Sequence, residues 1–198
     1  SLVPKVLLRN HDGKYFVDIT ASSGTGDLHR GHGVAFADLD NRGEEDILTV
    51  IGGAEPGDSH AFRLFENPGQ GNDWISLKLV GVKANRCAIG ARIKVTVTNA
   101  GQGTRSIYRT VGSGGSFGAS PLEQHIGLGK SAQDVNVEIL WPGDIANPQR
   151  FTNVDKDQAI EIHQFAHDYK KIVRHPVRLG GNPKGPADPV KASQSSNQ

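Results

Sequence analysis

The chain is poor in sulfur and in aromatic residues: it has one cysteine, Cys87, no methionine, and 6% aromatic residues in 198 positions. A single cysteine excludes an internal disulfide framework and a cysteine-based zinc cluster. With 22 basic and 21 acidic residues the formal net charge is +1, so charge gives no case for nucleic acid binding. Because no apolar run is long enough to cross a bilayer, no membrane span is predicted. The missing initiator methionine predicts a processed chain or an excised fragment.

What the chain does have is turn residues and alternating segments. It contains 25 glycines and 10 prolines, and apolar residues alternate with polar ones through most of its length. Many short alternating segments separated by Gly, Asn and Pro turns predict an all-β sandwich or barrel. The predicted strands are residues 6–10, 15–20, 33–37, 46–51, 62–66, 74–80, 91–97, 106–111, 135–141, 150–154 and 159–163. Polar loops are predicted over residues 21–31 and around Gly57.

A cluster of turn residues at 67–72 predicts a boundary between two units, residues 1–70 and 71–165. The remaining segment, residues 166–198, is predicted to begin with a short helix over 166–174. Beyond that helix the sequence is Gly, Pro, Ser and Lys with almost no apolar residues, so it cannot bury a core. We expect an ordered tail of this composition to be held by a partner.

The most informative stretch is an acidic loop between two apolar runs, Asp38-Leu39-Asp40-Asn41-Arg42-Gly43-Glu44-Glu45-Asp46. Acidic oxygens at alternate positions around a glycine are a compact arrangement for a calcium ion. The predicted metal ligands are the side chains of Asp38, Asp40 and Asp46 and the backbone carbonyl of Glu44, with an affinity on the order of 10⁻⁴–10⁻³ M. Arg42 removes one anionic ligand and adds a permanent cation, which favours the alternative of a solvated turn without metal.

The spacing of this loop resembles the calcium loop of the FG-GAP (VCBS-type) repeats that form β-propeller blades, with Arg42 where Asp or Asn is usual. Residues 6–66 resemble one such blade, including the opening Leu-x-Arg-Asn, Asp-Gly and Phe-x-Asp-Ile-Thr. A blade without neighbouring blades exposes apolar surface. We therefore expect this blade to pack on the second unit and to contact other copies or another chain.

The second unit contains six characteristic segments, which are residues 74–81, 85–93, 112–117, 125–129, 137–143 and 151–154. In sequence and in order these segments are similar to the ASPIC/UnbV domain, and the resemblance extends over roughly residues 72–165. The resemblance implies an exported protein, because family members are mostly exported. It implies no catalytic residue, because none is established for the domain.

Three histidines and a glycine-rich stretch are further candidates for a site. His11, His29 and His32 could bind a transition metal if the fold brings them together, although loop histidines are more often polar surface. Residues 112–116 are glycine-rich, but no Lys-Ser/Thr pair follows them and no helix pattern begins there. We expect a strand-linking loop there, not a phosphate-binding loop.

Polar residues and tryptophans of the second unit have two interpretations each. Asn85, Arg86 and Arg92 are the most distinctive polar residues. Either Arg86 or Arg92 locks the loop, through a buried ion pair or contacts to backbone carbonyls, or these residues bind an acidic or glycan ligand. Cys87 is expected to be a small buried packing residue. Trp141 is expected to end a strand with its indole in the core, and sugar stacking by Trp74 or Trp141 is the alternative.

Together these patterns predict an all-β protein: a single propeller-like β-blade packed on a β-sandwich or barrel-like unit, followed by an extended tail. The predicted function is a non-enzymatic interaction or adhesion module, secreted, extracellular or periplasmic, with a structural Ca²⁺. Its expected partner is a protein, or other copies of itself, bound through the blade and the tail, with a glycan as a further candidate. The alternatives are a structural subunit of an extracellular filament or larger complex, and an accessory domain of a biosynthetic enzyme.

Overall fold

The structure, a computed structural model, describes residues 3–11, 13–53, 60–101, 103–115, 117–130 and 132–179. Within these residues the chain is all-β, with fifteen strands and one helix, α1 (Thr20–Ser23). None of the five sheets formed by these described strands closes into a barrel. The predicted loop around Gly57 and the tail beyond residue 179 lie outside the described residues. No helix in the described part of the chain is long and apolar enough to cross a membrane.

The N-terminal region, residues 3–66, contains seven short strands. They are β1 (Val3–Pro4), β2 (Leu8–His11), β3 (Tyr15–Asp18), β4 (Leu28–His29), β5 (Gly31–Ala37), β6 (Asp46–Ile51) and β7 (Ala61–Phe65). Strands β2 and β3 lie within the predicted strands 6–10 and 15–20 to within one residue, and they pair antiparallel as a hairpin from Leu8↔Asp18 to His11↔Tyr15. Strands β5, β6 and β7 form a three-stranded antiparallel meander, and β1 pairs with β4. These strands make three small sheets where a single propeller-like blade was predicted.

The C-terminal region, residues 73–179, forms two four-stranded sheets. Its strands are β8 (Asp73–Val80), β9 (Arg92–Asn99), β10 (Gly103–Thr110), β11 (Gln124–Gly129), β12 (Ala132–Trp141), β13 (Asp144–Phe151), β14 (Gln158–His163) and β15 (Lys170–Ile172). One sheet has the order β10-β9-β12-β13 and the other β11-β8-β14-β15. All pairs in these two sheets are antiparallel except β14 with β8, which run parallel.

Alternation explains why these segments form sheets around one core. In β9 every second residue is buried, and β8, β12 and β14 also place most of their apolar side chains inside. Both sheets contribute to a single apolar cluster whose largest buried side chains include Trp141, Ile75 and Leu77. Burial of this apolar area is the main stabilising contribution to the fold, at roughly 25 cal/mol per Å².

The core lies almost entirely in the C-terminal region. Of the buried apolar side chains among the described residues, Ile51 alone belongs to the N-terminal region. The N-terminal strands therefore have little core of their own, and their position depends on contacts with the rest of the chain.

The helix predicted over residues 166–174 is wrong. Residues 170–172 form strand β15, whose register Ala159↔Ile172 and Glu161↔Lys170 extends the β14 edge. Tyr169, just before it, packs its ring edge-on against Phe151, with centroids 5.9 Å apart. Pairing with an exposed sheet edge outweighed the weak local helix pattern.

Candidate functional site

The acidic loop connects β5 to β6 and is held at both ends by the sheet. Ala37 and Asp46 are paired across the two strands, so the loop closes over eight residues at the end of the ladder. Asn41 and Gly43 adopt positive φ values of 59° and 95°, which turns the chain back sharply. Asp40 and Asp46 are 2% and 1% exposed, so their charges are held away from solvent.

Each of the six carboxylate oxygens of Asp38, Asp40 and Asp46 accepts a hydrogen bond from within the chain. Asp38 accepts from the backbone N–H groups of Arg42 and Gly43, both at 3.0 Å. Asp40 accepts the Arg42 N–H at 3.1 Å through Oδ1 and its guanidinium Nε–H through Oδ2. Asp46 accepts from the N–H groups of Asn67 at 2.9 Å and Leu39 at 3.2 Å.

The Arg42 guanidinium lies among these acids. Besides Asp40 it pairs with Glu66, whose Oε1 accepts from Nη2 at 2.5 Å, and it reaches the carbonyl of Asn67 at 3.5 Å. Partial burial lowers the pKa of the Arg42 guanidinium, but the hydrogen bond and charge of Asp40 and the charge of Glu66 outweigh burial, so the pKa rises. The group is a fixed positive charge at this loop.

The aspartate oxygens of this loop already accept hydrogen bonds from N–H groups and from the guanidinium of Arg42. These donors, and the positive charge of Arg42 above all, compete with a calcium ion for the same oxygens. Within the described residues no three His, Cys, Asp or Glu side chains are grouped as metal ligands. Burial raises the pKa of the Glu44 side chain, partly offset by Arg42. Calcium at Asp38, Asp40, Glu44 and Asp46 stays a prediction.

The loop also joins the two regions of the protein. Gly43 is buried against the indole of Trp74, and its carbonyl accepts a hydrogen bond from Nε2 of His125 at 3.0 Å. Trp74 and His125 stack on each other, with ring centroids 5.1 Å apart. Because Trp74 is on β8 and His125 on β11, the loop tip is fixed to one sheet of the C-terminal region.

The C-terminal segment crosses the same loop from the other side. Asn41 donates its side-chain amide to the carbonyl of His175 at 3.1 Å, and the Val177 N–H donates to the carbonyl of Asp40 at 2.8 Å. Just before these contacts, Arg174 pairs with Glu123. The expected packing of the N-terminal region on the second region is thus present, and it uses residues from both ends of the chain.

A cleft of about 350 Å³ lies between the two regions beside this loop. Its lining residues are Phe36, Ala37, Asp38, Glu45, Ser76, Arg109, Ser120, Pro121, Glu123, Gln124, His125 and Arg174. They come from six separate stretches of sequence, which is why sequence reasoning did not find them. The only local signal was the charged and polar character of the stretch 123–125 just before and within β11.

Burial dominates the electrostatics of this cleft. It raises the pKa of Glu45, although the charges of His125 and Arg109 partly offset the rise. It lowers the pKa of His125, against the opposing attraction of Glu45. Glu123 is already satisfied by Arg174 and by the hydroxyl of Ser76, which donates to it. Three carboxylates (Asp38, Glu45 and Glu123), one imidazole and two guanidinium groups therefore line the cleft, and Glu123 and Arg174 are paired with each other.

The remaining candidates from the sequence are not assembled into a site. His11 stacks on Tyr15 at 4.7 Å, whereas His32 meets the edge of Phe117 at 6.4 Å. The side chain of His29 lies outside the described set.

The loop after β8 is locked by side-chain amides. Asn85 donates to the carbonyl of Ile89 and accepts the N–H of Ile89, at 2.8 Å each, a role that was predicted for Arg86 or Arg92. Gln164, from beyond β14, accepts the N–H groups of residues 82, 83 and 84. Arg86 and Arg92, by contrast, are exposed, so neither forms the buried ion pair that was expected.

Cys87 and the tryptophans have different environments from one another. Cys87 was predicted to be buried, but it is exposed on the same loop. Trp141 is 2% exposed and donates its indole N–H to Gln149 at 2.7 Å, as expected for a core residue. Trp74 is partly buried, with one face against His125, which leaves less of the indole for sugar stacking.

A second surface feature is an uncovered apolar sheet face on the N-terminal region, here called the open face. Its residues are Ala35, Leu48, Val50, Phe62 and Leu64. The pairs Leu48↔Leu64 and Val50↔Phe62 are directly opposite each other, so these side chains project from the same side of the sheet. Phe62 is 72% exposed and Leu64 41%.

The other side of the same sheet is partly covered. Phe36, Ile47 and Phe65 lie there and line a cavity of about 320 Å³ together with residues 5–7. The ammonium of Lys5 lies 5.9 Å from the centre of the Phe65 ring. Among the described residues of this sheet, the most exposed apolar side chain is Phe62, on the open face.

Residues 81–168 match the protein family described as ASPIC and UnbV. The match begins directly after β8 and ends just before β15, so it covers most of the two four-stranded sheets and fewer than half of the residues of the chain. A search of curated proteins gave no match to the chain. The FG-GAP-type repeat over residues 6–66 and the boundaries of the predicted units stay predictions.

Proposed function

We propose that this protein is a non-enzymatic interaction module that binds a partner protein through the open face of its N-terminal region. The observation that supports this most strongly is the exposure of Phe62 and Leu64 beside each other on a regular sheet. The C-terminal region provides the core, and the acidic loop fixes the N-terminal sheet on it.

Exposure of this kind is unusual for a surface with no partner. Scattered apolar residues are normal on protein surfaces, but contiguous ones on a sheet face mark contact sites. Here Leu48, Val50, Phe62 and Leu64 occupy two adjacent cross-strand rows. Aromatic and aliphatic anchors at the centre of an interface supply most of its binding free energy.

The partner that fits best is another β-sheet with an apolar face. A flat face with side chains at the strand repeat packs on a second sheet about 10 Å away. The strands next to it are short and end in polar loops, so the covering layer would contact a compact patch and not a deep groove. We expect this second sheet to belong to a different protein. The alternative is a second copy of this chain, in which case the protein is a structural subunit. The resemblance to exported families supports an extracellular or periplasmic location.

A photo-crosslinking amino acid at position 62 tests this proposal, with position 145 as the matched control. Ile145 is 70% exposed, similar to Phe62, but it lies on β13, away from the open face. The protein is expressed with an export signal and irradiated in the cell envelope. We expect a discrete adduct from position 62 and none from position 145. The purified partner should then bind about tenfold more weakly to each of Phe62→Asp and Leu64→Asp.

Four results distinguish the candidates. An adduct with a different protein, weakened by Phe62→Asp and not by Ile145→Asp, supports the proposal. An adduct with the protein itself, together with a dimer or larger species in light scattering, makes it a structural subunit instead. Equal labelling from both positions, or an affinity that Phe62→Asp and Leu64→Asp leave unchanged, overturns a role for the open face. If the partner is a glycan, the protein would bind it while position 62 gives no adduct with any protein.

The cleft favours a second candidate, an accessory domain of an enzyme that binds a small polar molecule. Glu45, Arg109 and His125 line it, and Glu45 has no hydrogen-bonded partner for its side chain among the described contacts. Thermal-shift titrations with free amino acids and with hexoses at millimolar concentration test this. Stabilisation that Arg109→Gln abolishes would favour the second candidate, and no stabilisation by either class would remove it.

A further inference from the structure

The positive charge in the acidic loop is a side chain of the protein, the guanidinium of Arg42. The guanidinium of Arg42 contacts Asp40, which is 2% exposed, and Glu66 on the far side of the loop. Asp46, 1% exposed, is satisfied by the N–H groups of Leu39 and Asn67. Burying carboxylates is costly unless a positive charge and hydrogen bonds compensate them.

Arg42 also organises the backbone around it. Its own N–H is shared between Asp38 and Asp40, at 3.0 and 3.1 Å. The guanidinium then extends toward Glu66 and the carbonyl of Asn67, where β7 ends. One residue therefore connects the first half of the loop to the exit of β7, as a bound cation would do by coordination.

We infer that Arg42 replaces a metal ion in this loop, so that the loop and the contacts it makes to the C-terminal region form without calcium. A planar guanidinium suits this place because it gives directed hydrogen bonds to two carboxylates at once. The loop tip at Gly43, fixed by Trp74 and His125, then keeps its geometry whatever the divalent cation concentration.

Removing the guanidinium leaves the buried carboxylate of Asp40 and the carboxylate of Glu66 without their positive partner. The Arg42→Asn variant restores an oxygen ligand at the fifth position of the loop. It should therefore gain a calcium site, with an affinity on the order of 10⁻⁴–10⁻³ M.

The first measurement needs no variant. Calcium is titrated into the full-length, chelator-treated wild-type protein in a calorimeter, and the midpoint of thermal unfolding is followed in parallel. We expect no heat of binding and no shift in the midpoint at millimolar calcium. Heat of binding with a rise of several degrees in the wild-type midpoint overturns the inference.

The second measurement compares variants. We expect Arg42→Asn to unfold at a lower temperature than wild type with chelator and to recover by several degrees with millimolar calcium, whereas magnesium gives less. Arg42→Lys should retain part of the stability and stay insensitive to calcium, because it keeps the charge and loses the fork geometry. Arg150→Gln is the matched control: it removes an exposed Arg–Glu138 pair and should change neither property.

If Arg42→Asn does not fold, Arg42→Lys and the wild-type titration still decide the matter. Arg42→Lys as stable as wild type, or Arg42→Asn that folds but does not respond to calcium, would count against the guanidinium acting as the loop's cation. The guanidinium is established as the loop's cation if only the Arg42 variants lose stability and calcium restores the stability of Arg42→Asn.

Discussion

The Cα of Gly43 faces the indole of Trp74 so closely that a Cβ at Gly43 would overlap the Nε1 edge of the ring. Gly43 also has a φ of 95°, which side chains rarely adopt. Glycine at the tip of the acidic loop is thus required twice, once for the turn and once for the contact with β8. This contact is where the N-terminal sheet is fixed to the core of the protein.

Gly43→Ala should weaken the junction between the two regions. The positive φ costs about 1–2 kcal/mol and overpacking against Trp74 adds about 1–3 kcal/mol. Denaturant unfolding followed by tryptophan fluorescence measures the loss. Gly101→Ala is the control, because Gly101 has a φ of 75° with no neighbour within 4 Å of the added Cβ, so it reports the backbone cost alone. Equal destabilisation by both substitutions would refute the contact with Trp74.

Arg174→Gln should release the C-terminal segment from the acidic loop. Arg174 pairs with the partly buried Glu123, and a charge-assisted hydrogen bond of this kind contributes about 1.5–3 kcal/mol. Hydrogen exchange should become faster at the N–H of Val177, which donates to Asp40. Lys171→Gln, on exposed β15, is the control and should leave that exchange rate unchanged. Unchanged protection of Val177 in Arg174→Gln would show that the pair does not hold the segment.

His125 should make stability fall as the solution becomes acidic. Burial lowers the pKa of its imidazole in the folded state, against the attraction of Glu45 and Glu123 and with the repulsion of Arg174. The unfolded chain therefore takes up the proton first, and folded stability decreases as pH falls from just above the ordinary value of 6.5. The slope is at most about 1.4 kcal/mol per pH unit for this one group.

The free energy of unfolding is measured for wild type and His125→Gln from pH 8 down to the pKa that His125 has in the folded protein. The pH is changed in steps of about one unit. The wild-type curve should fall below that of His125→Gln as the pH is lowered, after both are normalised at pH 8. His163→Gln, which lies near Glu161 on β14, is the comparison for a more exposed histidine. Parallel curves for wild type and His125→Gln would contradict a lowered pKa at His125.

Glu161 should contribute stability that is lost only in strong acid. Hydrogen bonds from Lys78 and His163 lower its pKa to about 2 from 4.5. The contribution is complete above the unfolded value and is lost as pH falls from 4.5 toward about 2. Because Lys78 is 53% exposed, screening keeps the effect small, about 1 kcal/mol or less. Glu161→Gln should be less stable than wild type at pH 7 and equal to it near pH 2, in urea unfolding; a constant difference would contradict this.

Much of the fold could be predicted from the sequence because alternation directly reports which strand face is buried. Strands β6, β8, β9 and β14 lie within two or three residues of their predicted bounds. Strand β11 was not predicted, since Gly127 and Gly129 break its alternation. The helix over 166–174 failed because the edge of β14, not the local sequence, decided its conformation.

The site was harder to predict for a different physical reason. The acidic loop is contiguous in sequence, so its spacing could be recognised, and Arg42 was visible as the departure from that spacing. What the guanidinium contacts was not visible, because Glu66 is 24 residues away. The cleft is assembled from residues as distant as Glu45 and Arg174, which only the strand order brings together.

Hydroxyl-radical footprinting of the purified monomer tests most directly whether the two regions form one body with an uncovered sheet face. Oxidation at Phe62 and Leu64 should be fast, in keeping with their exposure of 72% and 41%, while Trp141, at 2%, should be protected. Trp74 should be oxidised more slowly than Phe62, because Gly43 and His125 cover it. Protection of Phe62 and Leu64 in the monomer, or oxidation of Trp74 as fast as that of Phe62, would contradict the account.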